Sequence, residues 1–161
     1  MIVVSNTSPL TNLAAIGQFH LLQELYGQIH IADGVWAELN ARGRAWPGSQ
    51  QVASSPWVIR QTVQNHALVT SLQRDLDRGE SETIALAVEL QANLVLLDEK
   101  DGRQMAQRFG LNMVGVLGVL LEAKKKNLVG ELRPQLDALR QSAGFYLSDK
   151  VYRQVLRLAG E

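Results

Sequence analysis

Polar side chains follow two apolar segments that are predicted to be buried strands. Asn6 comes directly after segment 2–5, and Asp98 follows the continuous apolar segment 94–97. Because the carboxyl ends of parallel strands meet at one edge of a sheet, we expect these two side chains to lie close together. Helices that begin at this edge would bring further carboxylates into range, and an acid three residues after Asp98 could reach back across one helical turn. The candidate site residues are Asn6, Glu38, Glu80, Asp98 and Asp101.

Carboxylates gathered in one place repel one another unless a cation neutralises them. Oxygen ligands without His or Cys select hard cations such as Mg²⁺ or Mn²⁺. A water molecule activated by such a metal can attack a phosphodiester bond. The sequence therefore indicates a metal site formed by Asn6, Glu38, Glu80 and Asp98, with Glu38, Glu80, Asp98 and Asp101 as the candidate catalytic acids.

Each of these residues also has a purely structural explanation. Glu80 lies three residues after Asp77, a spacing typical of a capping box at a helix start. Asp98 could be the N-cap of the next helix, Glu38 could be a solvated helix residue, and Asn6 could support a turn through its side chain. The residues alone leave both interpretations open.

Apolar, β-branched segments alternate with segments of helical periodicity along the chain. Parallel strands need crossover helices, so the alternation predicts an α/β fold, a three-layer αβα sandwich with a mostly parallel sheet. We expect a loop over residues 41–55, where Arg42, Arg44 and Trp46 could hold a nucleic-acid strand. Strands are predicted at residues 2–4, 29–32, 57–59, 94–97 and 113–114. Helices are predicted at residues 10–16, 19–26, 68–76, 80–90 and 103–109. A further helix is expected to follow Asp33 as its N-cap, and two or three more are expected at the C-terminus.

The composition of the 161-residue chain, with 46% hydrophobic and 20% charged residues, suits one globular domain rather than a disordered or fibrous chain. The absence of cysteine excludes disulfides, Cys-based zinc sites and cysteine nucleophiles. No basic and apolar leader is evident at the start, and the longest apolar run, residues 113–121, is too short to span a membrane. We therefore expect a soluble, cytoplasmic protein that has no membrane partner.

Charge is unevenly distributed along the chain, although the formal net charge is zero, which argues against a general nucleic-acid binder. Residues 1–99 hold 5 Lys and Arg against 10 Asp and Glu, whereas residues 100–161 hold 11 against 6. The acidic part could house a cation and the basic part could face phosphates. Ordinary scatter of charge over a folded surface explains the same numbers equally well.

Three stretches of the sequence resemble PIN domains. Residues 3–10, VVSNTSPL, resemble the opening of that family, in which a strand ends in an Asp followed by Thr or Ser. Residues 79–87, GESETIALA, and 94–98, LVLLD, resemble its second half, in which an acid opens an Ala-rich helix and a later strand ends in another acid. The similarity runs from Met1 to about Leu120, in particular to an uncharacterised prokaryotic branch of PIN-like proteins.

This resemblance implies a Mg²⁺- or Mn²⁺-dependent ribonuclease of the VapC toxin type. It implies single-stranded or structured RNA as the substrate, a small antitoxin protein as a partner, and a homodimer. The expected PIN-like domain covers residues 1–161, with the core over 1–120 and C-terminal helices over 121–161. The acidic quartet of the family falls on Asn6, Glu38, Glu80 and Asp98, with Asp101 as an auxiliary acid.

Asn6 stands where the family has its leading Asp. An Asn offers one carbonyl oxygen to a metal but no charge, which weakens both Mg²⁺ binding and the activation of the attacking water. The second hypothesis is therefore a PIN-fold module that has lost nuclease activity and binds a protein or RNA partner. A third hypothesis, another αβα phosphate-binding protein such as a response-regulator-like domain, requires an acidic pair at the first strand, which Asn6 fits poorly.

Overall fold

The predicted strands form one parallel sheet. The computed structural model describes residues 1–41 and 47–161. The strands in these ranges are β1 Val3–Ser5, β2 Ile29–Ala32, β3 Val58–Gln61, β4 Leu94–Leu96 and β5 Met113–Val114. They are arranged in the order β3-β2-β1-β4-β5, and every neighbouring pair is parallel. Ser5 pairs with Leu96, so the chain leaves the two central strands at the same edge of the sheet.

Helices connect the strands and cover both faces of the sheet. The helices of the described ranges are α1 Thr7–Ala15, α2 Leu21–Tyr26, α3 Asp33–Asn40, α4 Ser49–Ala53, α5 His66–Leu72, α6 Arg78–Leu90, α7 Lys100–Arg108, α8 Val116–Lys125, α9 Arg133–Gln141 and α10 Asp149–Leu158. None of these helices is both long enough and apolar enough to cross a membrane.

Alternate residues of the central strands pack against two different helical layers. Val3 and Leu96 are fully buried in one cluster, together with residues of α1, α2, α3, α8, α9 and α10. Val4 and Val95 are fully buried in the other cluster, together with residues of α5, α6 and α7. Because successive side chains of a strand point to opposite faces, this packing confirms the predicted three-layer αβα sandwich.

All six helices predicted before residue 110 begin at other residues than expected, and three of the differences bear on the site. Asp33 is the first residue of α3 rather than its N-cap, and its carboxylate accepts hydrogen bonds from Arg60 and Thr62 instead. Helix α6 begins two residues before its expected start at residue 80, and α7 three residues before its expected start at residue 103. The first residues of α6 and α7 are polar or glycine, so they do not show the apolar periodicity on which the prediction rests.

The expected loop over residues 41–55 is wrong in part, because it contains the short helix α4. Gln51 supports the start of this helix by accepting a hydrogen bond from the Gly48 amide at 3.1 Å. Arg42, Arg44 and Trp46, which are the candidate nucleic-acid contacts in this segment, lie outside the described residues.

We predict that the C-terminal helices are indispensable to the fold. Leu136 of α9 is fully buried in the same cluster as Val3 and Leu10, so Leu136→Ala leaves a cavity in the shared core. We expect the free energy of unfolding in urea to fall by about 2–5 kcal/mol. The matched control is Leu158→Ala in α10, where the side chain is 65% exposed and a change of less than about 0.5 kcal/mol is expected. Two separate unfolding transitions in the unmodified protein would contradict the single shared core.

Candidate active site

Asn6 connects two strand ends at the carboxyl edge of the sheet. It follows β1, is 3% exposed, and occupies the N-cap position of α1 without capping that helix through its side chain. Its Nδ2 donates a hydrogen bond to Glu99 Oε2 at 3.2 Å, and its Oδ1 accepts one from Thr83 Oγ1 at 3.4 Å. One buried carboxamide therefore joins the start of α1 to the start of α7 and to the first turns of α6.

Glu99 is the acid that lies beside Asn6. It occupies the N-cap position of α7 after β4, as Asn6 occupies the N-cap position of α1 after the neighbouring strand β1. The Ser8 hydroxyl donates to the second carboxylate oxygen of Glu99, so protein donors bind both oxygens. Sequence reasoning missed Glu99 because it placed the helix start at residue 103. Because α7 begins at residue 100, Glu99 is its N-cap residue, just as Asn6 is the N-cap residue of α1.

Glu38 approaches this cluster from α3. Its Oε2 accepts a hydrogen bond from Thr7 Oγ1 at 2.9 Å, and its side chain shares with Asp77 an open cavity of about 300 Å³. A Cβ atom at position 79 would lie 2.8 Å from Glu38 Oε2, so a side chain there would displace the Glu38 carboxylate from its present position. Burial raises the pKa of Glu38, the Thr7 hydrogen bond opposes this rise, and the charges of Asp77 and Glu99 add to it.

Glu80 lies in the same cluster and also has the structural role that its spacing indicates. Asp77 and Glu80 form a capping box: Asp77 Oδ1 accepts from the Glu80 amide at 2.8 Å, and Glu80 Oε1 accepts from the Asp77 amide at 3.3 Å. The other oxygen of Glu80 faces Gly102 of α7. Burial raises the pKa of Glu80 to about 7, and the nearby charges of Asp77 and Glu99 contribute to the rise. Asp77 is a second acid of the cluster that sequence reasoning considered only as a helix cap.

The Asp98 side chain binds the start of α8. The Oδ1 atom of Asp98 accepts a hydrogen bond at 3.0 Å from the backbone amide of Val116, the first residue of α8. The Oδ2 atom of Asp98 is buried and has no hydrogen-bond partner among the described residues. Burial raises the pKa of Asp98 to about 6, although the Val116 hydrogen bond opposes the rise. Asp98 is therefore placed to hold α8 against the end of β4, and its assignment as a metal ligand and catalytic acid stays a prediction.

Asp101 is exposed on the first turn of α7. It lines a cavity of about 330 Å³ with Asp75 and Arg108, and it makes no hydrogen bond with Asn6 or with the carboxylates around it among the described residues. The auxiliary role expected of Asp101 likewise stays a prediction.

The grouped side chains have the chemistry of a site for a hard cation. Asn6, Glu38, Glu80 and Glu99 offer only oxygen ligands. Burial raises the pKa values of Glu38 and Glu80, the charges of Asp77 and Glu99 add to the rise, and a divalent cation would relieve that repulsion. Within residues 1–41 and 47–161, no group of three or more His, Cys, Asp or Glu converges closely enough to hold an ion. The donor set thus fits Mg²⁺ or Mn²⁺ in kind, and its carboxylates must turn away from their present hydrogen-bond donors to bind one.

Glu82 fixes the helix that carries Glu38. Its carboxylate is nearly buried in α6, where Oε1 accepts from the Gly34 amide of α3 at 3.0 Å and Oε2 accepts from Arg78 Nε at 2.6 Å. The N-cap residue of α3 is Ala32, which has no side-chain acceptor. Glu82 therefore satisfies an amide at the start of α3 from a neighbouring helix and holds α3 against α6.

We predict that Glu82 positions Glu38 for metal binding. Glu82→Ala leaves the Gly34 amide without its partner, so the free energy of unfolding should fall by about 1–3 kcal/mol and Mn²⁺ binding should weaken in a calorimetric titration. The control is Glu89→Ala, because Glu89 lies on the same helix and accepts from the Gln64 and Asn65 amides near the start of α5. Equal weakening of Mn²⁺ binding by both variants would show that Glu82 acts only through overall stability.

We also predict that the metal-free protein becomes more stable as the pH falls from about 8 to about 5.5. The pKa values of Glu80 and Asp98 are raised by burial to about 7 and about 6, so folding favours their protonated forms. This stabilisation is present below the unfolded pKa and is lost as the pH rises through the folded one. After allowance for solvent screening we expect a difference of about 1–2 kcal/mol in urea unfolding in the presence of EDTA.

Glu80→Gln should reduce this pH dependence, because a carboxamide does not titrate in this range. The matched control is Glu24→Gln, which changes an exposed carboxyl group of α2 and should leave the pH dependence unaltered. Stability that rises with pH over the same interval would contradict the prediction.

Comparison with known proteins agrees with the fold. A family model described as a PIN domain matches residues 2–161. The fold is similar to that of a PilT N-terminus domain protein from the hyperthermophilic archaeon Sulfolobus solfataricus, with 22% sequence identity and a TM-score of 0.54 over 76% of this chain and 93% of that chain. A search of curated proteins finds no match. PIN domains are commonly nucleases and generally use divalent metal ions. Since the family model spans nearly all of the chain, this protein belongs to the PIN domain family.

Proposed function

We propose that this protein is a ribonuclease that depends on Mg²⁺ or Mn²⁺. The observation that carries the proposal is the meeting of Asn6, Glu38, Glu80 and Glu99 at the carboxyl edge of β1 and β4. These residues come from the starts of α1, α6 and α7 and from α3, four separate helices. In an open parallel sheet this edge is where ligands bind. Family membership supports a nuclease at this place.

The carboxylates of Glu38, Glu80 and Glu99 would hold the cation, together with Asn6 Oδ1. When bound, the metal supplies positive charge for the scissile phosphate and makes water easier to deprotonate near neutral pH. The hydroxyl groups of Thr7 and Ser8 donate hydrogen bonds to Glu38 and Glu99 in the absence of a metal. A cation that binds these carboxylates would compete with both hydroxyl donors.

Asp98 acts indirectly in this proposal. Its hydrogen bond to Val116 sets the end of β4 relative to α8, and Glu99 is its immediate neighbour. A change at Asp98 that keeps this hydrogen bond should therefore leave the cluster at Glu99 largely intact. The alternative is the sequence-based prediction that Asp98 is itself a metal ligand. If Asp98 is a ligand, Asp98→Asn should be inactive, and if Asp98 acts only indirectly, Glu99→Gln should be inactive while Asp98→Asn retains activity.

The finer part of the proposal follows the family resemblance. We propose a toxin of the VapC type that acts on single-stranded or structured RNA in the cytoplasm, pairs with a small antitoxin protein and forms a homodimer. We also propose that residues 1–161 act as one domain, and the family match over residues 2–161 supports this. The shared core of the C-terminal helices is in line with it.

A catalytically inactive PIN-fold module that binds a protein or RNA partner is the second candidate. It is favoured by the hydrogen bond from Asn6 Nδ2 to Glu99. This amide supplies the carboxylate with a donor at a place where an Asp would add a repelling charge. A cation must displace this donor before it can bind Glu99, so Asn6 lowers the gain from metal binding.

We predict that the protein cleaves a mixed-sequence single-stranded RNA in the presence of Mn²⁺ and that Glu99→Gln slows cleavage by about 100-fold or more, which corresponds to about 2.7 kcal/mol. Asp98→Asn keeps an acceptor for the Val116 amide, and we expect less than about a tenfold loss. Asn6→Asp restores a charged ligand and should lower the Mn²⁺ concentration required. Gel analysis of end-labelled RNA measures all four proteins.

Each outcome separates the candidates. Equal loss in Asp98→Asn and Glu99→Gln would assign Asp98 to the metal and contradict the indirect role. Cleavage by Asn6→Asp alone would identify the unmodified chain as the inactive module. Absence of cleavage by all four proteins, despite native melting curves, would refute the nuclease proposal.

A further inference from the structure

The sign of the chain's charge changes at the candidate site itself. Residues up to Glu99 carry the excess of acids, and the excess of cations begins with Lys100 in the first turn of α7. Lys100 and Arg103 take part in no ion pair within the described ranges. A polyanion that approaches a cluster of carboxylates is repelled unless cations lie close by, and these two are the cations that follow the cluster directly.

Lys100 and Arg103 line an open groove of about 570 Å³ along α7. The groove passes the backbone at Glu99, since its chain neighbours Asp98 and Lys100 line the groove, while the Glu99 side chain is not part of the lining. The other lining residues combine carboxamides with one apolar side chain and are Gln104, Gln107 and Met113. This volume is typical of a site for one small ligand, so it suits a nucleotide or two of a single strand rather than a duplex.

The charged groups of the groove are arranged to favour an anion. Arg103 Nη1 donates to the backbone oxygen of Leu97 at 2.9 Å, which fixes the guanidinium near the Asp98 carboxyl. Its other N–H groups make no hydrogen bond among the described residues and can donate to a ligand. The negative charge of Asp98 is directed inwards, because its Oδ1 accepts from Val116 and its Oδ2 is buried. The groove therefore presents cations and carboxamides to a ligand, with the one carboxylate turned towards the protein.

We propose that this groove holds the backbone of single-stranded RNA next to the phosphate that enters the acidic cluster. Lys100 and Arg103 bind phosphate oxygens, and the Gln side chains and Met113 contact the adjoining ribose and base without selecting one sequence. This inference rests on the proposed ribonuclease function, whose substrate path it defines. The proposed groove also gives a role to Lys100 and Arg103, two cations of the basic part of the chain that the metal site does not use.

The test measures RNA binding without cleavage. A fluorescein-labelled single-stranded oligoribonucleotide of mixed sequence is titrated with full-length protein in EDTA, and fluorescence anisotropy gives the affinity over a range of NaCl concentrations. For single strands, loss of one phosphate contact reduces the slope of log K against log salt by about 0.7, which is about an eightfold loss of affinity at about 50 mM salt. We expect Lys100→Ala and Arg103→Ala each to have this effect.

Matched variants control for net charge and for folding. Lys150→Ala and Arg153→Ala remove exposed cations of α10, a helix that packs against α8, and should leave the affinity and the salt slope unchanged. Lys100→Arg should retain binding, because the positive charge remains. Lys100 is exposed, so Lys100→Ala should keep the melting temperature of the unmodified protein and tests the groove even if loss of the Leu97 contact destabilises Arg103→Ala.

The outcomes distinguish failure of this inference from failure of the proposed function. Equal weakening by the α7 and α10 variants, or no binding of RNA at all, would overturn the groove. RNA cleavage with unchanged KM in Lys100→Ala would also overturn it while the nuclease remains. Selective loss of binding in the α7 variants, together with absence of cleavage by the unmodified protein, would support the groove and refute the nuclease.

Discussion

The repulsion between carboxylates at the carboxyl edge of the sheet is the constraint on which the candidate site depends. Glu38, Asp77, Glu80 and Glu99 lie near enough for the charges of Asp77 and Glu99 to raise the pKa values of the other two. In the absence of metal, the structure offsets this repulsion with hydrogen bonds from Asn6, Thr7 and Ser8 and with a capping box. The same donors that make the metal-free fold stable compete with a cation, so stability and metal affinity oppose one another at this site.

Helix starts, rather than helix faces, hold the cluster together. Asn6 and Glu99 occupy equivalent N-cap positions after the two central strands, and Glu80 lies within the first turn of α6. Glu38 lies farther along α3, and its position depends on how closely α3 approaches α6. The Glu82 hydrogen bond to Gly34 holds α3 against α6, and the absence of a side chain at Gly79 leaves room for the Glu38 carboxylate. Two residues outside the proposed ligand set thus determine where Glu38, a proposed ligand, lies.

Much of the fold follows from the sequence, because a buried parallel strand is a short apolar run and its crossover helix has a regular period. The strands β2 and β5 have the predicted bounds, and the meeting of Asn6, Glu38 and Glu80 follows from the common edge of the sheet. The sequence does not show whether Asp98 or Glu99 belongs to the cluster of carboxylates. That choice depends on where α7 begins, and a shift of one residue beyond a strand end turns a side chain from the cluster towards α8. Glu82 is beyond sequence reasoning for a different reason, since its partner Gly34 lies on a helix that is distant in the chain.

Asn6 connects the two proposed functions through a single exchange of partners. Its carboxamide donates through Nδ2 to Glu99, and Oδ1 accepts one hydrogen bond and keeps a second lone pair that a cation could bind. Thr83 already donates to Oδ1, which fixes the orientation of the amide and directs Nδ2 at the carboxylate. A cation that binds Glu99 must therefore replace the Asn6 donor without the added charge that an Asp would bring. The affinity for metal, and with it the division between nuclease and binding module, depends on how far the charges of Glu38, Glu80 and Glu99 outweigh the loss of that one hydrogen bond.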